Sequence, residues 1–124
     1  MGEIVIEHVR EYVADGAAHP GAAVFLVDRL WPRGVAKADL RVDGWVRDVA
    51  PSTGLRKWFG HDPQRWAEFR RRYLAELKDN RDAAAPLVEA ARSGAVLLLF
   101  DAKDGEHNQA VVLAEWLRRV AAAR

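Results

Sequence analysis

A chain of 124 residues, half of them hydrophobic and 30% charged, carries enough apolar side chains for one core and too many to stay disordered. It contains no cysteine, which excludes a disulfide scaffold, thiolate catalysis, an iron–sulfur cluster and a cysteine-ligated zinc site. The net charge of +1 hides an asymmetry: Arg29 to Arg72 holds eleven Lys/Arg against five Asp/Glu, so a basic middle is flanked by acidic ends.

The N-terminus, Met1 to Glu7, lacks the basic start and long apolar run of a signal peptide. The apolar runs Ala22 to Val27 and Ala95 to Phe100 are too short to span a bilayer, so a cytoplasmic protein without membrane contact is expected. No repeat, low-complexity tract or linker interrupts the chain, which predicts one domain over residues 1–124.

The first predicted strand is Glu3 to Val9, with Ile4, Ile6 and His8 alternating against Glu3, Val5 and Glu7. Asp15-Gly16 and His19-Pro20-Gly21 then mark a loop. This connection is short for a helical crossover, which leaves the first pairing open between parallel and antiparallel. The second strand, Ala23 to Asp28, and the third, Ala95 to Phe100, are apolar on both faces, as in a covered parallel sheet. Val42, Trp45, Val46 and Val49 fall at i, i+3, i+4 and i+7 and predict a helix that Pro51 ends. Ser52 is the expected cap of a short helical turn carrying Leu55, Trp58 and Phe59. Asp62-Pro63 reads as a cap and first helical residue, before a stripe of Trp66, Phe69, Tyr73, Leu74 and Leu77. A further helix starts near Asp82 and stops at Gly94, and a last one runs from Asn108 to about Val120.

Helices before and after apolar strands predict a small α/β fold of two or three layers. The expected sheet is short, mostly parallel and of about three strands, with four to five helices. Ligands of such sheets bind outside the carboxyl ends of the strands, which selects the loops Asp28 to Lys37 and Asp101 to Asn108.

Three stretches carry candidate chemistry. In Asp28-Arg29-Leu30-Trp31-Pro32-Arg33-Gly34, two arginines on a loop stiffened by proline suit a phosphate or carboxylate. The alternative is that Asp28 pairs with Arg29 or Arg33 as a buried tie, with Trp31 in the core. In the second stretch, Ser52 stands at a helix start with Arg56 one turn on, and His61 lies between Gly60 and a cap. Ser52 either binds an anion or merely caps its helix. His61 either moves protons or merely packs. In the third, His107 and Asn108 fall in the first turn of the last helix, where the dipole favours a neutral imidazole. The alternative is an ordinary helix cap, with Asp104 or Asn108 serving the unpaired amides. There is no phosphate loop, GxGxxG, GxSxG or HExxH, and no spacing that supports a metal site; no cofactor is expected.

Val27 to Gly34, Ala50-Pro51-Ser52, Leu55 to Asp62, Trp66 to Tyr73 and His107 to Leu113 together resemble the YeaO-like family of bacterial proteins over nearly the whole chain. The resemblance implies a small cytoplasmic α/β protein and no particular reaction. It adds candidate positions: Asp28, Arg29, Trp31, Arg33, Ser52, Arg56, His61, Arg70, Tyr73, His107 and Asn108. Phe100-Asp101 departs from the family pattern, which ranks Asp101 lowest among the loop residues.

Three functions fit these residues. One is a cofactor-free hydrolase or transferase for a small anionic, nucleotide-like substrate. There Asp28, His61 and His107 act as catalytic groups, and Arg29, Trp31, Arg33, Ser52, Arg56, Arg70, Tyr73 and Asn108 bind substrate. Another is a nucleic-acid-binding module that tracks phosphates with Arg65, Arg71, Arg72 and Lys57. The third keeps the pocket and drops the chemistry: a noncatalytic ligand-binding or interaction domain.

Overall fold

A computed structural model of the chain describes residues 2–15 and 19–123. The elements run β1 (Ile4–His8), α1 (Val9–Ala14), β2 (Ala23–Leu26), β3 (Gly44–Trp45), α2 (Thr53–Phe59), α3 (Trp66–Asp79), α4 (Ala85–Ser93), β4 (Val96–Phe100) and α5 (Gln109–Ala122). Single 3-10 turns at Arg47–Val49, Pro63–Arg65 and Arg81–Ala84 lead into the following segments. The fold is α/β, with one sheet of order β1-β4-β2-β3 in which every pairing is parallel.

β4 owes its central place to composition. Val96-Leu97-Leu98-Leu99-Phe100 is buried throughout, and it pairs with β1 on one side and β2 on the other. Such a strand needs cover on both faces, and the core accordingly forms two clusters. Phe25, Val27, Val96, Leu98 and Phe100 point to α2, α3, α4 and α5. Val24, Leu26, Leu97 and Leu99 point the other way, onto Val9 and Tyr12 of α1 and onto Leu40, Trp31 and Trp45.

Three expectations need correction. The first two strands do not pair with each other; both pair with β4, so the short connection only has to step over one strand. That connection holds a helix, α1, which takes Val9 from the predicted strand. His8 caps α1, its Nδ1 accepting from Arg10 N at 3.1 Å. The stripe of Val42, Trp45, Val46 and Val49 is not a helix. Val42 and Trp45 pack on one side of the sheet, and Val46 and Val49 on the other. Asp43 draws this segment into the sheet: its N–H donates to Val24 O at 2.7 Å and its carboxylate accepts from Val24 N at 2.7 Å. Gly44 and Trp45 then register against Phe25 and Leu26 as a fourth, two-residue edge strand.

The remaining helices follow the signals. Ser52 Oγ accepts from Leu55 N at the start of α2, and Asp62 accepts from Gln64 N at the turn that opens α3. Gly94 ends α4 by donating its N–H to Ala90 O, in extended rather than left-handed backbone. Among the described residues no helix is long and apolar enough to cross a membrane.

Candidate functional site

Parallel strands deliver their following residues to one edge of the sheet. His8 ends β1, Asp28 follows β2, and Asp101 follows β4. Beyond that edge lies a cleft of about 360 Å³, walled by the loop after β2, by α2 and its exit, and by the start of α5.

Asp28 forms its floor. One carboxylate oxygen accepts from Asp101 N at 2.9 Å and the other from the Gln109 side-chain amide. Burial pushes the Asp28 pKa up to about 6, against the opposing pull of the Asp101 N–H; the neighbouring Asp101 carboxylate adds to the rise. Neither Arg29 nor Arg33 pairs with it, so the buried tie weighed from the sequence is absent among the described residues. Asp101 is matched instead by Arg10, at 3.2 Å. Because His8 Nδ1 already accepts from Arg10 N, the His8 proton sits on Nε2, which donates to the Asp101 carbonyl at 3.1 Å.

Arg29, Arg33 and Arg56 line the same cleft. Arg29 sends Nη2 to the carbonyls of Ala50 and Pro51 over 3.3 and 3.4 Å, and its buried Nε has no partner among the described residues. Arg33 is held by its backbone. Its carbonyl accepts from Arg10 Nη2 at 2.9 Å, and Gly34 turns the chain with a φ of 77°. Trp31 is both wall and core: it lines the cleft, meets Trp45 edge-on at 5.5 Å and donates to Val35 O at 2.6 Å. Trp45 in turn donates to the backbone carbonyl of Asp28 at 2.7 Å, which fixes the root of the loop.

His61 reaches the cleft through an unusual turn. Gly60 and His61 both take left-handed backbone, with φ of 55° and 57°, and the second of these is strained in a residue other than glycine. The imidazole lies 6.2 Å from the Phe59 ring and has no hydrogen-bond partner among the described residues.

Other candidates lie outside the cleft or are already engaged. Ser52 Oγ donates to Glu76 Oε2 at 2.6 Å while its N–H donates to Oε1 at 2.8 Å, so a carboxylate of α3 takes the start of α2. Arg70 holds Glu115 in a bidentate pair at 2.9 and 2.6 Å, tying α3 to α5. Tyr73 is buried, and its hydroxyl donates to Val49 O at 2.6 Å. His107 precedes the helix cap rather than lying in the first turn. Its Nδ1 donates to Asp104 at 2.8 Å, and its ring sits edge-on to Trp66 and does not line the cleft. Asn108 touches the cleft, but its Oδ1 accepts from Ala110 and Val111 N–H and its Nδ2 donates to Asp104 O. Sequence reasoning missed Gln109 and undervalued Asp101. Both owe their place to the pairing of β2 with β4, which no local signal announces. Among the described residues no three His, Asp or Glu side chains are grouped as metal ligands.

The chain belongs to a recognised family. The family model, described as the inactive DUF488-N3 subclade, DUF488-N3i, matches residues 3–124. It is 43% identical to the uncharacterized protein YeaO of Escherichia coli K12 over 106 residues, 86% of this chain and 92% of that one. It is 42% identical to the uncharacterized protein Rv3073c of Mycobacterium tuberculosis over 92 residues, 74% of this chain and 77% of that one. The Mycobacterium bovis protein Mb3100c matches to the same extent. No solved structure matches the chain.

Proposed function

We propose that the cleft binds a small anionic molecule and that the protein works by binding rather than by catalysis. One observation carries this reading. Arg29 and Arg33 from the loop after β2 and Arg56 from α2 line one concavity, and none of them has a carboxylate within 4 Å among the described residues. Unmatched guanidiniums around a partly apolar cleft suit a phosphate or carboxylate. The noncatalytic part has its own support. A histidine that moves protons is normally oriented by a second group. His107 has such a group, Asp104, but stands outside the cleft; His61 stands in the cleft and lacks one. The description of the family model as an inactive subclade agrees with this.

An enzyme remains the second reading, favoured by Asp28, a half-buried carboxyl with a pKa near the range useful for proton transfer. A nucleic-acid track has less support. Arg71 and Arg72 both hold Glu68, and Arg65 leans on Asp62 and donates to the Trp58 carbonyl, so three of the four cations of that track already have partners.

Calorimetry with phosphate, pyrophosphate and small dicarboxylates tests the proposal. At least one should bind saturably, and Arg33→Ala with Arg56→Ala should weaken it by about tenfold or more, a loss of roughly 1.4 kcal/mol. The ligand should be recovered unchanged by mass spectrometry. Binding indifferent to both arginines would overturn the site; conversion of the ligand, abolished by Asp28→Asn, would favour the enzyme.

A further inference from the structure

The cleft holds opposite charges that do not meet. Its floor is Asp28, whose carboxylate takes two neutral donors, the Asp101 N–H and the Gln109 amide, and has no Lys, Arg or His within 4 Å among the described residues. Its walls carry Arg29, Arg33 and Arg56, equally unmatched. Asp28 and Arg29 are neighbours in sequence yet diverge, because the Arg29 guanidinium turns to the carbonyls of Ala50 and Pro51. The other carboxylate at the cleft, Asp101, has Arg10 beside it.

Flexible side chains of opposite sign usually close on one another when they can. Here the hydrogen bonds of Asp28 and the anchored loop of Arg33 keep them apart. A largely desolvated carboxylate without a cation costs folding energy, so its place at the floor of a cleft points to a partner from outside. Arginines alone would serve a simple anion; the acid at the floor would then repel it. We infer that the ligand of this cleft is a small zwitterion, with an ammonium or amidinium group for Asp28 and a carboxylate or phosphate for the arginines. This rests on the anion-binding reading above and adds the second charge to it. A cleft of about 360 Å³ holds a molecule of amino-acid size or somewhat larger.

The test compares matched probes by calorimetry on the full chain. Straight-chain ω-amino acids from glycine to 6-aminohexanoate are set against carboxylates and alkylamines of the same length, and O-phosphoethanolamine against ethyl phosphate. At least one zwitterion should bind about tenfold more tightly than its anion-only partner. Asp28→Asn should erase that preference by weakening the zwitterion, while the anion-only probe, freed of the repulsion, binds at least as tightly as before. If the anion-only probes bind as tightly as the zwitterions at every length, through Arg33 and Arg56, the zwitterion inference falls and the anion site stands. If no probe binds, both fall. Should Asp28→Asn fail to fold, the comparison of probes on the unaltered protein decides alone.

Discussion

The Asp28 carboxylate and the Asp101 amide, 73 residues apart in the chain, are joined by a 2.9 Å hydrogen bond across the ends of β2 and β4. This bond, with the one from Gln109, locks the exits of two neighbouring strands to the start of α5 and so shapes the cleft floor. It also makes Asp28 the residue where stability and function pull apart.

Asp28→Asn should stabilise the protein at neutral pH. The folded pKa of about 6 lies above the ordinary 3.8, so the folded state holds the proton more tightly than the unfolded one. Stability therefore falls as pH rises from about 4 to about 6 and stays lower above that. An asparagine escapes this loss. It keeps both hydrogen bonds if the Gln109 amide flips, so the gain above pH 6 should be on the order of 2 kcal/mol. Urea unfolding of both proteins between pH 4 and 8 checks it: a stability difference that does not vary with pH would count against a burial-driven shift.

His61→Gly should relieve strain and weaken binding together. Glycine adopts a φ of 57° freely, so thermal unfolding should show a gain of roughly 0.5–1 kcal/mol. Loss of the imidazole from the wall should lower affinity for whichever anion the wild type binds. A destabilised variant would mean that the His61 side chain packs more tightly than its exposure suggests.

Asn108→Ala should cost stability without any electrostatic signature. It removes the acceptor of two amides at the start of α5 and the donor to Asp104 O, and a cap of this kind is worth about 1–2 kcal/mol. Asn108→Asp keeps the acceptor and loses the donor, so denaturant midpoints should fall in the order wild type, Asp, Ala.

Tyr73→Phe separates a structural role from a binding one. The hydroxyl satisfies the Val49 carbonyl in the core, and deleting it should cost about 1–2 kcal/mol in chemical denaturation. Ligand affinity should not change, since Tyr73 lies outside the cleft lining.

What the sequence disclosed follows physical range. Caps act over three residues, so Ser52 and Asp62 marked α2 and α3 directly, whereas Asn108, expected in the first turn of the last helix, is its cap. The continuous apolar runs announced β2 and β4, because strands covered on both faces have no polar side to show. Trp45 misled: its spacing from Val42, Val46 and Val49 fits a helix, and only the long-range bonds of Asp43 to Val24 make it an edge strand. At the site, Asp28, Arg29, Arg33, Arg56 and His61 were drawn into one cleft by the parallel-sheet rule and by the turn at Gly60. Ser52, Arg70, Tyr73 and His107 went elsewhere because each has a private partner, Glu76, Glu115, Val49 and Asp104, that spacing does not reveal.

The position of β4 has a consequence for how the molecule is made. β1 and β2 are joined to one another only through a strand that begins at Val96, so a nascent chain emerging from the ribosome carries two ribbons with nothing between them until most of it has been translated. Pairings of such long separation in sequence form slowly. Until they form, the apolar flanks of both ribbons stay open to chaperones and to each other.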